Sequence, residues 1–383
     1  MNTPLLGELS FDTFLREYWQ KKPLLIRNAL PGCQSLIAGD ELAGLACEAD
    51  VESRLIIRDA SGERWELQHG PFSDETFLAL PDTHWTLLVQ AVDHWVPEAA
   101  KFLQQFNFIP SWRIDDLMIS YASDEGGVGP HYDNYDVFLV QVEGRRQWEV
   151  GGLFDECSPR RADTPVTILS DWEPAHRWVL EPGDLLYVPP RVGHSGIAVG
   201  DGCMTYSVGF RAPSHREMLQ DFSDYVGRQL SEDVRFADPD LVPQVNPGHM
   251  TAEALQTVHH ILRRYVDDQE MLAEWFGRYM TVPKYQEAGM DVEVYGLEDV
   301  RGYVSAGRWL ARNEGSRFAF QEDGRETRLF VDGRCYPCNE EQADLVRKLC
   351  ADLTIDPEVF SHTGRNLQLL VDLLNHGSLY LPE

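Results

Sequence analysis

The sequence predicts an α+β protein in which a β-rich part, residues 1–211, precedes a helical segment, residues 212–285, and a small mixed module, residues 286–383. Short apolar and β-branched runs bounded by Gly and Pro dominate before Arg211-Ala-Pro213, and such runs are typical of strands. Beyond that point apolar residues recur at helical spacing, and a helix, a hairpin and two more helices close the chain. We therefore expect three domains.

The first part is expected to lead through helices and strands into a barrel. An amphipathic helix opens it, and apolar periodicity predicts a second helix around residues 40–49 and a third over about residues 85–106. Strands are predicted near residues 54–58 and 64–67, and the strands that follow form the barrel.

The most informative local pattern is His131-Tyr132-Asp133. A loop rich in Gly and Pro, residues 126–130, precedes it, and an apolar, β-branched run follows it. His131 and Asp133 are therefore predicted to lie at the start of a strand. Side chains two residues apart on a strand point to the same face, so His131 and Asp133 converge. Asp136 has the opposite parity and is the poorer ligand candidate.

A second segment supplies another histidine. Pro182-Gly183-Asp184 predicts a turn, residues 185–188 a short strand, and Pro189-Pro190 a stop that returns His194 to the same pocket. Two imidazoles and one carboxylate can occupy one face of an octahedral metal and leave three positions open. The pattern therefore predicts a non-haem Fe(II) site used for oxygen chemistry.

The triad and its surroundings resemble the JmjC branch of the cupin-fold 2-oxoglutarate oxygenases, and most closely the bacterial ribosomal-protein hydroxylases within it. The resemblance covers roughly residues 5–211 and is carried by residues 11–26, 113–120, 131–148 and 205–211.

This resemblance implies a double-stranded β-helix, the cupin or JmjC jelly roll, and an iron held by His131, Asp133 and His194. It also implies O₂ and 2-oxoglutarate as cosubstrates, and hydroxylation of an arginine β-carbon in the sixteenth large-subunit ribosomal protein. The helical segment would be a homodimerisation element, as it is in the family.

The cosubstrate needs an anchor for its distal carboxylate, and a guanidinium can bind a carboxylate bidentately. Arg145 and Arg146 begin a strand, so one should face inward and the other outward; family spacing from the aspartate selects Arg146. The alternative is that both arginines lie on the surface. Ser120 and Tyr121 could add hydroxyls to the same site.

The resemblance also implies that a substrate pocket is bordered by Asp116, Met118, Tyr135 and Ser207. Asp116 is the candidate for holding a target guanidinium. The competing interpretations are ordinary polarity at the N-terminal end of a strand and a structural ion pair between Asp116 and Arg113.

Composition restricts the partners. With 33 Lys and Arg against 62 Asp and Glu, the net charge is −29, which disfavours nucleic acid and anionic membranes and favours basic protein partners; solubility alone would explain it equally well. No signal peptide or membrane span is apparent, so we expect a cytoplasmic protein. Seven cysteines without framework spacing agree with a reducing compartment, and Cys335-Tyr-Pro-Cys338 is interpreted as a coincidence within a hairpin.

After residue 211, helices are predicted over residues 218–230, from Thr251 through Tyr265, and over residues 270–280. The last module combines a helix near residues 297–306, strands 317–321 and 328–331, and helices 339–353 and 365–375. That is a winged-helix-like layout. It lacks a Lys/Arg stripe, which favours contact with protein over DNA.

Three functions compete. The first is a protein hydroxylase that uses Fe(II), O₂ and 2-oxoglutarate on an arginine of a basic ribosomal protein. The second is a JmjC-type N-methyl demethylase, which would produce formaldehyde. The third is a non-catalytic metal-binding cupin that serves as a scaffold, and the intact triad with Arg146 argues against it.

Overall fold

The computed structural model describes residues 5–285, 294–324 and 326–382. The chain forms two compact units, Met1–Ala212 and Pro213–Glu383. The predicted helical segment and the C-terminal module thus fall into the second unit together, and their separation into two domains stays a prediction.

The first unit surrounds a set of antiparallel strands with short helices. Its helices are α1 (Phe11–Glu17), α2 (Gly39–Leu45), α3 (Asp74–Leu78) and α4 (Pro97–Leu103). Its strands are β1 (Leu24–Ile26), β2 (Ser53–Arg58), β3 (Trp65–His69), β4 (Trp85–Val89), β5 (Ile114–Ala122), β6 (Val137–Glu143), β7 (Arg146–Leu153), β8 (His176–Leu180), β9 (Leu185–Val188), β10 (Val192–Ala198) and β11 (Cys203–Phe210).

These strands form two facing sheets. The larger has eight strands in the order β1-β9-β6-β11-β5-β4-β2-β3, and the smaller has three in the order β10-β7-β8. Apolar side chains from both sheets, among them Leu139 and Leu186 from one and Trp148 and Val150 from the other, pack together between them. The jelly-roll fold expected from the resemblance is confirmed.

The period-two alternation of β5, β6 and β11 divides their residues between two environments. One face, with Leu117, Phe138 and Tyr206, joins the main core under helices α1, α2 and α4. The other face points between the sheets and carries buried polar residues, including Ser120 and Thr205. Polar side chains within an apolar interior mark the pocket.

One secondary-structure prediction in this unit is wrong. Residues 85–106, expected as one helix, form strand β4, a short 3-10 turn (Val92–His94), α4 and a second 3-10 turn (Gln104–Phe106). The run Trp85-Thr-Leu-Leu-Val89 is aromatic and β-branched, and it pairs with β2 on one side and β5 on the other. Pro97 then occupies the first helical turn, where its missing N–H costs nothing.

The second unit contains helices and two small sheets. Its helices are α5 (His215–Gly227), α6 (Ala252–Val266), α7 (Gln269–Thr281), α8 (Leu297–Ser305), α9 (Ala343–Ala351) and α10 (Gly364–Asn375). Its strands are β12 (Leu310–Arg312), β13 (Phe318–Glu322), β14 (Thr327–Val331), β15 (Arg334–Cys338), β16 (Thr354–Ile355) and β17 (Leu379–Tyr380).

The predicted hairpin is β13 and β14, and β15 extends it to three strands. Cys335 and Cys338 lie on β15 as free thiols, as the hairpin interpretation requires. Apolar side chains of α8, α9 and α10 form the core of this unit with β14. Within the described residues, no helix is both long enough and apolar enough to span a bilayer.

Candidate metal centre

His131, Asp133 and His194 meet between the two sheets. One ligand atom from each lies within 4.8 Å of the others. Asp133 Oδ2 is 3.5 Å from His194 Nε2 and 4.0 Å from His131 Nε2. His194 belongs to β10, a strand that the sequence did not predict, whereas His131 lies before β6 in an isolated antiparallel bridge to His194.

Main-chain contacts determine which imidazole nitrogen can bind a cation. His131 Nδ1 lies 2.9 Å from the carbonyl of Gly129, and His194 Nδ1 lies 3.1 Å from that of Val192. Because a carbonyl only accepts, each Nδ1 carries the proton and each Nε2 keeps a lone pair toward Asp133. Two nitrogens and one oxygen presented in this way fit a first-row divalent metal.

The protonation of His194 agrees with this role. Burial, followed by the charge of neighbouring His131, lowers the pKa of His194 to about 4, while Asp133 opposes the shift. The imidazole is therefore neutral near pH 7, which is the form that binds metals.

Asp136 is excluded from this site, as its parity predicts. It is fully buried on the opposite side of the sheet, where its carboxylate accepts hydrogen bonds from Tyr187 Oη at 2.6 Å and Gln20 Nε2 at 3.0 Å. Burial raises its pKa, although these donors and Arg113 act in the other direction.

Strand alternation separates the two adjacent arginines. Arg145 is exposed, whereas Arg146 opens β7 with only 3% of its surface accessible. Its Nε donates to Cys203 Sγ at 3.4 Å, and Gln141 Nε2 donates to the same sulfur at 3.4 Å. One terminal nitrogen of Arg146 is buried with no hydrogen-bond partner among the described residues. A buried donor left in this way requires an acceptor, and a carboxylate is the natural one.

The two hydroxyls proposed to assist Arg146 point to opposite faces. Ser120 is buried opposite Thr205 in the sheet register and donates to its carbonyl at 3.4 Å. Tyr121 instead packs in the outer layer, 5.9 Å from the ring of Trp85. The suggestion that Tyr121 shares the site is wrong, because adjacent strand residues alternate.

Sequence reasoning missed the polar residues that surround Arg146. Thr205 Oγ1 donates to Gln141 Oε1 at 2.9 Å, and Gln141 reaches Cys203, so three strands contribute to one network. Thr205 pairs with both Ser120 and Gln141 in the register. Only knowledge of this pairing would have brought them together.

The predicted substrate residues cluster on neighbouring strands. Met118 pairs directly with Ser207, and Asp116 pairs with Gly209. A Cβ at Gly209 would lie 3.7 Å from Asp116 Oδ1 and 3.9 Å from Tyr135 Cε2, so both side chains border this glycine. Strand β11 thus carries Ser207 and lies next to Asp116, Met118 and Tyr135.

Asp116 is buried, and its Oδ2 accepts hydrogen bonds from Gln90 Nε2 at 2.6 Å and the Ala91 amide at 2.9 Å. Arg113, its proposed ion-pair partner, instead approaches Asp136 at 3.9 Å and donates to the Arg211 carbonyl at 2.9 Å. Arg113 therefore approaches the carboxylate of Asp136 and not that of Asp116, and the role of Asp116 in substrate binding stays a prediction.

Tyr135 is 42% exposed as a whole residue, yet its hydroxyl lies among acidic groups. Burial of the phenol, followed by the carboxylates of Asp133 and Asp116, raises its pKa well above the ordinary value. The phenol of Tyr135 is therefore held in its neutral, protonated form.

Three family descriptions match parts of the chain. The JmjC domain matches residues 101–218, and the ROXA-like winged helix matches residues 264–380. The AraC-like ligand binding domain matches residues 175–275.

Known proteins match most of the chain. It is 36% identical over 313 residues to the ribosomal protein uL16 3-hydroxylase of Escherichia coli K12, covering 81% of this chain and 82% of that protein. It is 37% identical over 257 residues to a probable ribosomal oxygenase of Haemophilus influenzae, covering 66% of this chain and 63% of that protein.

Solved structures of E. coli YcfD superpose over nearly the full length. One matches with a TM-score of 0.88 at 31% identity, covering 98% of this chain and 99% of that chain. A structure of YcfD in complex with cobalt and 2-oxoglutarate matches with a TM-score of 0.87, with the same identity and coverage. The chain therefore belongs to the JmjC-domain 2-oxoglutarate/Fe(II) oxygenases, in the branch of the bacterial ribosomal oxygenases.

Proposed function

We propose that this oxygenase hydroxylates the β-carbon of an arginine in a uL16-type ribosomal protein, using Fe(II), 2-oxoglutarate and O₂. The observation that carries the proposal is the position of His131, Asp133 and His194 in the same interior as the buried, incompletely hydrogen-bonded guanidinium of Arg146. The E. coli relative is named for 3-hydroxylation of uL16, and the 3-position of an amino acid is its β-carbon.

Iron would be held by the Nε2 atoms of His131 and His194 and by the Asp133 carboxylate. When bound, iron and its cosubstrate supply the oxidant that hydroxylates an unactivated C–H bond. The chain holds these ligands through Gly129 and Val192, whose carbonyls fix the two imidazoles.

Arg146 would bind the distal carboxylate of 2-oxoglutarate, with Ser120 adding a hydroxyl. Arg146 is already oriented by its contact with Cys203, so little side-chain entropy is lost when the ligand binds.

Asp116 would hold the target guanidinium, and Met118, Tyr135 and Ser207 would border the side chain that enters. A carboxylate fixed by two donors provides a rigid anchor, which places the neighbouring carbon reproducibly. The net charge of −29 supports capture of a basic protein. We place the reaction in the cytoplasm, where ribosomal proteins assemble.

The test of reaction class follows the products. The chain, incubated with Fe(II), 2-oxoglutarate and a uL16 protein, should form succinate without formaldehyde. Formaldehyde from a methylated peptide would favour the demethylase alternative, and the absence of any succinate would favour the non-catalytic scaffold.

We also propose a homodimer formed by the segment 213–283. Helix α6 has no buried residue, and its stripe of Leu255, Val258, Leu262 and Val266 is exposed, with Leu255 at 59% and Leu262 at 61%. A continuous apolar stripe of this kind is typical of an interface, and a second copy of the helix is its simplest complement.

Light scattering tests the dimer. The full chain should have the mass of two copies, and the double substitution Leu255→Asp and Leu262→Asp should halve it, whereas Gln256→Asp, off the stripe, should not. A wild-type monomer would contradict the proposal.

The winged-helix module is proposed to contact protein and not nucleic acid, because phosphate binding relies on positive charge and the chain has a net charge of −29. Salt-dependent binding of the chain to unrelated DNA would contradict it.

A further inference from the structure

Arg191 has an unusual backbone conformation and directly precedes the strand that carries His194. It lies in the link between β9 and β10, three residues before His194, and its φ is +67°. L-residues other than Gly rarely adopt this left-handed conformation, and it persists where the surroundings determine it.

The main chain of Arg191 joins two other segments. Its amide donates to the carbonyl of Asp133 at 2.6 Å, and its own carbonyl accepts from the amide of Phe154 at 2.9 Å. The first of these bonds ties the carboxylate ligand to the strand that bears His194. The second ties both to the segment that follows β7.

The side chain of Arg191 reinforces the second connection. Its Nε donates to the carbonyl of Phe154 at 2.9 Å, and its terminal nitrogen is 3.8 Å from Asp155 Oδ2. The Asp155 contact is long and exposed, so it contributes little. The bond to the Phe154 carbonyl has an ordinary hydrogen-bond length. Together with the bond from the Phe154 amide, it means that Arg191 and Phe154 are joined by two hydrogen bonds.

The ring of Phe154 packs against residues that are adjacent to the metal-binding residues in the sequence. Its ring is stacked 6.3 Å from that of Tyr132, which lies between His131 and Asp133, and is 6.1 Å from Trp172. A Cβ at Gly193 would be 2.4 Å from both Phe154 and Trp172, so these rings pack directly on the backbone before His194.

We infer that Arg191 is a positioning residue, which holds the main chain of Asp133 against β10 so that the Asp133 carboxylate and the His194 imidazole keep their 3.5 Å spacing. The inference rests on the proposed function, since that assigns the metal to the triad. The side chain stabilises the left-handed backbone, and that backbone presents the amide to Asp133.

The test compares Arg191→Ala with Arg191→Gly. Alanine removes the side chain and leaves the left-handed φ both unfavourable and unsupported, whereas glycine removes the side chain but adopts this φ readily. Both retain the amide donor. Arg177→Ala, an exposed arginine paired with Glu149 on the same small sheet, is the matched control.

Co(II) affinity, measured by calorimetry, and the visible spectrum of bound Co(II) are the readouts, with thermal unfolding as a check on the fold. Arg191→Ala should weaken Co(II) binding about tenfold and alter the spectrum, because the unsupported main chain at residue 191 would shift its amide away from the Asp133 carbonyl. Arg191→Gly should weaken it by only about threefold, because glycine relieves the strain but not the lost Phe154 contact.

Wild-type affinity and spectrum in both variants would overturn the inference. If Arg191→Ala does not fold, Arg191→Gly alone decides, and unchanged binding there has the same meaning. If the wild-type chain itself binds no Co(II), the proposed function fails, and that result is distinguishable from failure of the Arg191 inference.

Discussion

His131 and His194 are partners in an antiparallel bridge, in which the amide of each donates to the carbonyl of the other at 3.0 and 2.8 Å. Their ring centroids are 4.3 Å apart. The backbone itself therefore brings the two imidazoles together, and Asp133, two residues from His131, completes the set. A centre built this way is preorganised, because the strand pairing does not depend on the ligand.

The first prediction concerns the triad. His131→Ala, Asp133→Ala and His194→Ala should each abolish stoichiometric Co(II) or Fe(II) binding, because each removes one of three protein ligands. Calorimetry measures the binding, and circular dichroism should show a retained fold. Asn134→Ala, an exposed neighbour, is the control. Near-wild-type metal affinity in one of the triad variants would remove that residue from the set.

The second prediction concerns Arg146. Arg146→Ala should greatly raise the KM for 2-oxoglutarate, since losing a charge-assisted bidentate pair in a dry site costs about 2–5 kcal/mol. Arg145→Ala, at the exposed neighbouring position, should leave that KM unchanged. A larger effect at Arg145 would show that the assignment of the two arginines is reversed.

The third prediction concerns Asp116. Asp116→Asn should lower turnover of the ribosomal protein about tenfold or more while 2-oxoglutarate affinity is kept, because only the substrate loses a charged partner. Asp82→Asn, in an exposed turn before β4, is the control. If Asp116→Asn lowered the affinity for 2-oxoglutarate as much as it lowered turnover, the assignment of Asp116 to the protein substrate would be wrong.

A related prediction uses ionic strength. If the acidic surface captures a basic protein, affinity for that protein should fall as salt rises, since charge attraction is screened beyond about 10 Å at 0.1 M. Binding assays across a salt series measure this. Affinity that does not change with salt would mean that the charge of −29 serves solubility.

The fifth prediction concerns pH. Burial, followed by the neighbouring Asp136 carboxylate, raises the pKa of Tyr187 far above the ordinary value of 10.0. Below pH 10 both folded and unfolded states hold this proton, but above it only the folded state does. The unfolded state then binds fewer protons, so stability falls as pH rises.

Tyr187→Phe should therefore unfold with less dependence on alkaline pH than the wild type. At neutral pH it should be less stable by about 1–3 kcal/mol, because it leaves Asp136 with fewer donors. Urea unfolding at neutral and alkaline pH measures the difference, which should shrink above pH 10. A constant difference would contradict the assignment.

Local chemistry was sufficient to predict much of this molecule. The spacing within His131-Tyr132-Asp133 and the strand that starts at Val137 are short-range features, so parity made Asp136 the poorer ligand candidate. Parity also placed Arg145 and Arg146 on opposite faces, but the family resemblance was needed to select Arg146 as the inward one. Helix α6 begins where its N-cap Thr251 predicts. The same reasoning failed at Trp85, because a short apolar run is compatible with either a strand or a helix until its neighbours are known.

The remaining features depend on which strands pair. Cys203 contacts Arg146, and Gln141 and Thr205 are linked to it through Cys203; the register of β6 and β11 brings these three residues together. Arg191 depends on a backbone conformation that nothing in Pro189-Pro-Arg191 requires. Long-range pairing of this kind is tertiary information, which periodicity does not contain.

Hydroxylation of the ribosomal protein can be observed by mass spectrometry of a uL16 protein incubated with the chain, Fe(II), 2-oxoglutarate and air. We expect a gain of one oxygen on a single arginine, which fragmentation assigns to the β-carbon, and no gain with the Asp133→Ala variant. An unmodified uL16 protein, despite metal and 2-oxoglutarate bound to the wild-type chain, would contradict it.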